Sequence, residues 1–182
     1  MNRLPYLLLV ACIAACSTKA GEGGGVGSAG GVAIIPEIPA GAQNPLVIGV
    51  EDATVEQLAK AAEVVISGEG LSMIQAATKD GVVETRMFDL GTIRGYAPDV
   101  AGIDPQERAV YYAFLAGKNP QGIMVVEIIG YYKPIPEMAR TNAQYKVKLP
   151  ISHPGFAYQV RLQLLLKNEL EKHEIAIIES GG

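Results

Sequence analysis

Chemistry in this chain would have to come from two histidines, the serine beside one of them, and a few carboxylates. Ser152 and His153 adjoin, and a hydroxyl next to an imidazole can serve as a nucleophile with its base. Such a dyad also needs a group to orient the ring and donors for an oxyanion, and the sequence displays neither. The plainer role of His153 is to start the helix that Pro154 opens. His173 falls near the end of that helix, where a partly charged imidazole complements the dipole. The two histidines are not at metal-ligand spacing. Asp99 and Asp104 flank a loop with Gly102, but a Ca²⁺ loop needs more oxygens at alternating positions, and Asp104 is better used as a helix cap. No metal or cofactor is expected.

Glu127 is the most unusual carboxylate, set between Val125 and Ile129 on one face of the most apolar segment. Buried and unpaired, it would titrate high and mark a site. The expectation is instead that it lies at a wet patch or pairs with Arg86, Arg94, Arg140 or Arg161. Tyrosine carries what interface signal there is: Tyr111, Tyr112, Tyr131, Tyr132, Tyr145 and Tyr158, with no Trp in the chain. Adjacent residues of a strand point to opposite faces, so Tyr131 and Tyr132 cannot both be core unless both faces are covered. Glu127, Tyr131 and Tyr132 are therefore the candidate interface residues. Catalysis would require Glu127, His153 and the loop carboxylates to converge in space.

The amino-terminal end decides where such a surface would work. Arg3 precedes the apolar run LPYLLLVACIAAC, which ends in small residues before a cysteine, the three-part form of a secretory signal. Ile13-Ala14-Ala15-Cys16 resembles the lipobox of bacterial lipoproteins. The resemblance implies cleavage before Cys16, a diacylglycerol on its thiol and, as a rule, an acylated amino terminus. Leu9-Val10-Ala11-Cys12 fits the same pattern. Cys16 is preferred because it leaves the fuller hydrophobic core and is followed by polar Ser17-Thr18-Lys19. The run is short of the ~20 apolar residues of a spanning helix. Ser17 after the cysteine, in place of Asp, resembles the outer-membrane form in organisms that sort by that position.

Both cysteines, Cys12 and Cys16, lie in this amino-terminal region, so the folded domain holds no disulfide and no thiolate site. Loss of Arg3 with the leader leaves 14 basic against 19 acidic residues, a net charge of −5 with no basic block. Nucleic acid needs clustered Lys and Arg and is not an expected partner. After Cys16, Gly dominates as far as Gly31, and Pro36, Pro39 and Pro45 punctuate the stretch from there to Leu46. A Gly-rich chain of 29 residues spans roughly 30 Å. The organisation expected is a leader at 1–15, a lipidated Cys16 with its tether at 16–45, and one folded domain at 46–182. Ile34, Ile35 and Ile38 are too apolar for a pure spacer and suit an edge segment or a partner's strip.

In the domain, Leu46–Val50 reads as a buried strand. A helix follows from Val55 to Ile66, capped by Thr54 and Gln57, with Val55, Leu58, Ala62, Val65 and Ile66 on one face. Met73–Lys79 and Val82–Leu90 flank Asp80-Gly81, a pair suited to a two-residue type I′ hairpin, with Glu84 and Arg86 together on its solvent face. Residues 92–97 extend the sheet past a kink at Gly91. Asp104-Pro105-Gln106-Glu107 is the sharpest helix start in the chain and predicts a helix to Ala116 that buries Val110, Ala113 and Phe114 and stops at Gly117. Gly122–Tyr132 is apolar on both alternating faces and suits the middle of the sheet. Thr141–Leu149 reads as a half-exposed strand, Pro154–Lys172 as a long helix, and Glu174–Glu179 as a last strand. The fold class is α+β, a mainly antiparallel sheet with three helices packed on it.

The function expected from these features is a membrane-anchored envelope lipoprotein that binds an envelope protein partner and performs no chemistry. Its alternative is a periplasmic or surface-exposed lipoprotein that captures a ligand in a pocket.

Overall fold

The computed structural model describes residues 35–93, 103–104, 107–132 and 147–178. Strand β1 (Leu46–Val50) leads into helix α1 (Val55–Gly68); then come β2 (Met73–Ala77), β3 (Val82–Thr85), the short β4 (Phe88–Asp89), β5 (Ala109–Lys118), β6 (Met124–Tyr132), the short β7 (Val147–Lys148), helix α2 (Pro154–Lys172) and β8 (Ile177–Ile178). One eight-stranded sheet runs in the order β2-β3-β5-β6-β1-β8, with β4 on β5 and β7 on β6. All its pairings are antiparallel. The class is α+β as expected, with two α-helices among the described residues instead of three.

The missing helix is the one expected to begin at Asp104. At its expected start the Asp104 carbonyl accepts from the amides of Glu107 at 2.8 Å and Arg108 at 3.2 Å. From Ala109 the chain is strand. Tyr111, Tyr112 and Phe114 are β-formers, and alternation in AVYYAFLAG places Val110, Tyr112 and Phe114 under the helices, where all three are buried. Ala113, grouped with Val110 and Phe114 by helical spacing, lies on the opposite face. Gly117 therefore ends no helix. The turn after β5 is made by Asn119, whose side-chain oxygen accepts from the Gln121 and Ile123 amides, and by Gly122 at φ +82°.

The hairpin β2–β3 also closes differently. Ala77 pairs with Val82, and a 3-10 turn over Thr78–Asp80 followed by Gly81 at φ +74° connects them; Asp80 does not take a positive φ. Gly81 is held against β5, where a Cβ would lie 2.4 Å from the Ala116 carbonyl oxygen. Glu84 stays on the outer face of β3, while Arg86 lies beyond its end.

Helix α1 begins with the predicted capping box: Gln57 N–H donates to Thr54 Oγ1, and Thr54 N–H to Gln57 Oε1. Both helices lie on one side of the sheet. Leu58, Ala62 and Ile66 of α1 and Phe156, Leu162, Leu166 and Leu170 of α2 meet Leu46, Ile48, Val50, Val126 and Ile128 in one core. Each large side chain fully buried there stabilises by roughly 1.5–3 kcal/mol before entropy is counted. The leucine-rich stretch of α2 is thus mostly core, with Leu164 outside. Phe88, Tyr112 and Tyr158 add an aromatic triad with ring centroids 5.7–6.1 Å apart.

Two polar devices fix how the layers join. Asn44, just before β1, accepts from the Gly130 amide and donates to the carbonyls of Gly130 and Leu149, while the buried Gln159 of α2 donates to Asn44 Oδ1 and to the Ile128 carbonyl. Ile38 and Ala42 pack on the core beside it, so the end of the expected tether belongs to the domain. At the other end of the helix pair, Arg161 of α2 makes a bidentate pair with Glu69 at the C-terminus of α1, and Tyr158 Oη donates to the same carboxylate at 2.8 Å. Cys12, Cys16, Asp99, Tyr145, the extension at 94–97 and most of the strand expected at 141–149 lie outside the described residues.

Candidate functional site

The register of the strands assigns every side chain to the helix side or to the other face. Val47 stands opposite Glu127, and Glu127 opposite Leu115, which is opposite Val82. One row along, Gly49 is opposite Val125 and Val125 opposite Gly117, with Ile178 next to Gly49. In the other direction Ile129 pairs with Ala113, and Tyr131 with Tyr111. These rows make a face that no helix of the described residues crosses. On the same face Glu84 stands opposite Ala113 and Lys148 opposite Tyr131. Its middle is apolar, and Val47 at 49% and Leu115 at 36% exposure stand out from a floor in which Ala113, Val125 and Ile129 are buried.

Glu127 sits in the centre of this face, partly exposed, with Val47 and Leu115 on either side. Of the arginines considered for it, Arg161 is taken by Glu69, Arg86 is exposed past the end of β3, and Arg94 and Arg140 lie outside the described residues. Tyr131 stacks on Tyr111 with centroids 5.0 Å apart. Burial first, then the Glu84 carboxylate and Tyr131, push the Tyr111 hydroxyl well above the ordinary tyrosine range. That phenol stays protonated.

Tyr132 points the other way, as adjacent strand residues must, and stacks on His153 at 5.4 Å. His153 is the N-cap of α2: its Nδ1 accepts from the Gly155 amide at 3.0 Å, and its Nε2 lies 2.9 Å from the Glu107 carbonyl oxygen. With Nδ1 accepting, the proton is on Nε2 and is donated to that carbonyl. Both ring nitrogens are therefore used, and neither can serve Ser152 as a base. The structure brings Tyr131 and Glu127 to one face and leaves Tyr132 and His153 on the other. Of the loop carboxylates considered with Glu127 and His153, Asp99 lies outside the described residues. His173, the C-cap residue of α2, has Nε2 at 3.3 Å from Glu169 Oε1.

Burial holds the His153 imidazole below its ordinary pKa, and the Glu107 carbonyl, which pulls upward, does not offset it. A histidine depressed in the fold binds its proton more readily when unfolded. Its contribution to stability is complete above the unfolded value of ~6.5 and is lost as pH falls from there toward the lower folded value. Denaturant midpoints of the full chain should decline between pH 7.5 and pH 5. In His153→Asn, which keeps a capping oxygen, that part of the decline should be absent, with a cost of about 1 kcal/mol at pH 7.5.

The described residues also border two hollows. One, of about 260 Å³, opens beside His153 between Ile103, Tyr132 and Pro150; the other, of about 430 Å³, opens at the end of β1 beside Asp52, Lys118 and Ile123. Both open broadly to solvent. No group of three or more metal-ligating side chains occurs among the described residues, and no described helix is long and apolar enough to cross a membrane. No protein-family model matches the chain, and no curated protein matches it. What the chain does has to be argued from its own surface.

Sequence patterning singles out Glu127 and Tyr131 but misses Val47, Leu115 and Gly117. Helical spacing puts Leu115 and Gly117 at the end of a helix, and an unbroken apolar run puts Val47 in a buried strand. The signal that could have found them is the two-residue alternation across 109–117.

Proposed function

We propose that the chain is a membrane-anchored lipoprotein of the cell envelope, bound to the outer membrane through acylated Cys16, and that its domain is a non-catalytic binding module serving an envelope protein as an accessory or assembly subunit. The observation that carries the binding role is the sheet face turned away from α1 and α2, where the exposed side chains of Val47 and Leu115 flank the carboxylate of Glu127. Neither described helix packs on this face, and exposed apolar side chains grouped on one surface mark interaction sites. The lipobox-like leader supports the location, and a triacylated cysteine would satisfy the need for more than one chain in stable anchoring. The sequence from Cys16 to Ile34 then gives the domain reach from the bilayer.

Two measurements test the two halves. The intact mass of the protein from membranes of its host should correspond to a chain starting at Cys16 with two or three acyl groups; an unmodified chain starting elsewhere removes the membrane from this reading. Chemical crosslinking in intact cells should yield a heterologous adduct that Leu115→Lys abolishes and Val64→Lys, on the outer surface of α1, leaves in place. A clean monomer, or equal loss with both variants, would contradict the binding role.

A further inference from the structure

We infer that His153 is a pH-sensitive latch at the start of α2: a proton taken up at Nδ1 ends its hold on the Gly155 amide and the Glu107 carbonyl and turns the imidazolium into the hollow beside it.

The latch is set by hydrogen bonds that only the neutral ring can make. Nδ1 accepts from the Gly155 amide at 3.0 Å while Nε2 donates to the Glu107 carbonyl at 2.9 Å, so one ring joins the first turn of α2 to the lead-in of β5. A second proton would set two donors face to face, Nδ1–H against the Gly155 N–H. It would also place a positive charge beside a helix N-terminus, where the dipole disfavours it. The ring is rigid, so turning Nδ1 away carries Nε2 off its partner as well. Gly155 is not free to yield instead. Its carbonyl accepts from Tyr112 Oη at 2.7 Å, and a Cβ on it would stand 3.0 Å from both His153 Nδ1 and Leu149 Cδ1. The group that moves is the histidine.

It has room to do so. The ring is 9% exposed, stacks on Tyr132 and borders the hollow of about 260 Å³ that opens to solvent. Among the described residues that line this hollow, the lead-in to β5 supplies the Glu107 carboxylate and β6 the Tyr132 phenol, while the turn before α2 supplies uncharged Pro150, Ser152 and Pro154. The first turn of α2 adds no acidic group. In the hollow an imidazolium has water and the Glu107 carboxylate, whereas in the latched position it would be buried against a helix start.

The two positions therefore differ in proton affinity. Burial holds the latched ring below the ordinary histidine value, and a ring turned out to water returns to ~6.5. The latch is closed above that pH. Between pH 7.5 and pH 5.0 the opening equilibrium rises by up to about thirtyfold, the limit reached when the latched ring takes up no proton.

The test is amide hydrogen exchange of the full chain, purified in detergent, at pH 7.5 and pH 5.0, corrected for the intrinsic pH dependence of exchange. Gly155 should exchange ahead of Leu166, buried in the middle of α2, at both pH values. Its protection should fall at least fivefold at the lower one. Nitrogen chemical shifts should show the His153 ring protonated on Nε2 alone at pH 7.5. In His153→Asn, which keeps a capping oxygen and does not titrate, the protection of Gly155 should change less than twofold between the two pH values. Wild-type Gly155 protection that is equal at both pH values overturns the latch. So does protection that matches Leu166, since the amide is then released only with the whole fold, and so does a proton on Nδ1 at pH 7.5. An undiminished pH response in His153→Asn overturns it as well.

Discussion

Glu69→Ala should destabilise the domain by about 3 kcal/mol, the scale of breaking a largely buried ion pair from one side. Glu69 follows the last turn of α1, and its carboxylate is where the two helices are tied: Arg161 Nε and Nη2 each lie 2.9 Å from one of its oxygens, and Tyr158 Oη donates to it. The side chains of Arg161 and Glu69 are only 20% and 11% exposed, so water compensates little when the acceptor is removed. Glu69→Gln keeps the volume and one acceptor oxygen but not the charge or the fork geometry, and should cost about half as much. Urea denaturation of both variants checks the order; equal midpoints for Glu69→Ala and wild type would mean that the tie carries no stability.

Gly130→Ala should be of similar size, about 3 kcal/mol, at the upper end of what overpacking costs. The added Cβ would lie 2.5 Å from both Gln159 Oε1 and Leu149 Cδ1, and 3.0 Å from Tyr112 Cε1. These are side-chain atoms, which elsewhere could move aside. Here Gln159 is fully buried and held by the Ile128 carbonyl and Asn44, Leu149 is 2% exposed, and the Tyr112 hydroxyl is fixed to the Gly155 carbonyl at 2.7 Å. Moving any of them disturbs the bonds that seat Asn44 between β6 and α2. The same measurement on Gly117→Ala gives the contrast, since nothing lies near that Cβ and the midpoint should not fall. A Gly130→Ala protein as stable as wild type would show that α2 shifts freely over the sheet.

Local rules read parts of this fold well and fail where tertiary packing competes with them. The Thr54–Gln57 box and the one-sided pattern after it place α1 correctly, because capping and amphipathic spacing agree. His153, Pro154 and the run to Lys172 likewise give α2. At Asp104-Pro105-Gln106-Glu107 the cap and the segment behind it disagree. A cap contributes about 1 kcal/mol, whereas the strand buries Val110, Tyr112 and Phe114 completely and pairs with β6 from Val110 to Lys118. Burial and strand pairing prevail from Ala109 onward. A helical reading of 109–116 hides half of the candidate surface, since Leu115 and Gly117 become neighbours of Glu127 and Val125 only when 109–118 is a strand. Which face of β6 the helices cover is not legible in the sequence either. Both faces are apolar there, and only the placement of α1 and α2 on one side distinguishes Glu127 from Val126 and Ile128.

The binding role requires that the open face be covered in the envelope. Under the proposed processing Cys12 is removed and Cys16 acylated, so the domain has no free thiol of its own, and one can be installed by Leu115→Cys on the face or by Val64→Cys on the outer surface of α1. The measurement is the rate of maleimide labelling of each variant in intact membranes and after purification in detergent. The thiol at position 115 should react at least tenfold more slowly in membranes than when purified, while the thiol at position 64 reacts at one rate in both. Equal, rapid labelling of position 115 in the two settings would mean that the face is bare where the protein works, and would contradict the binding role.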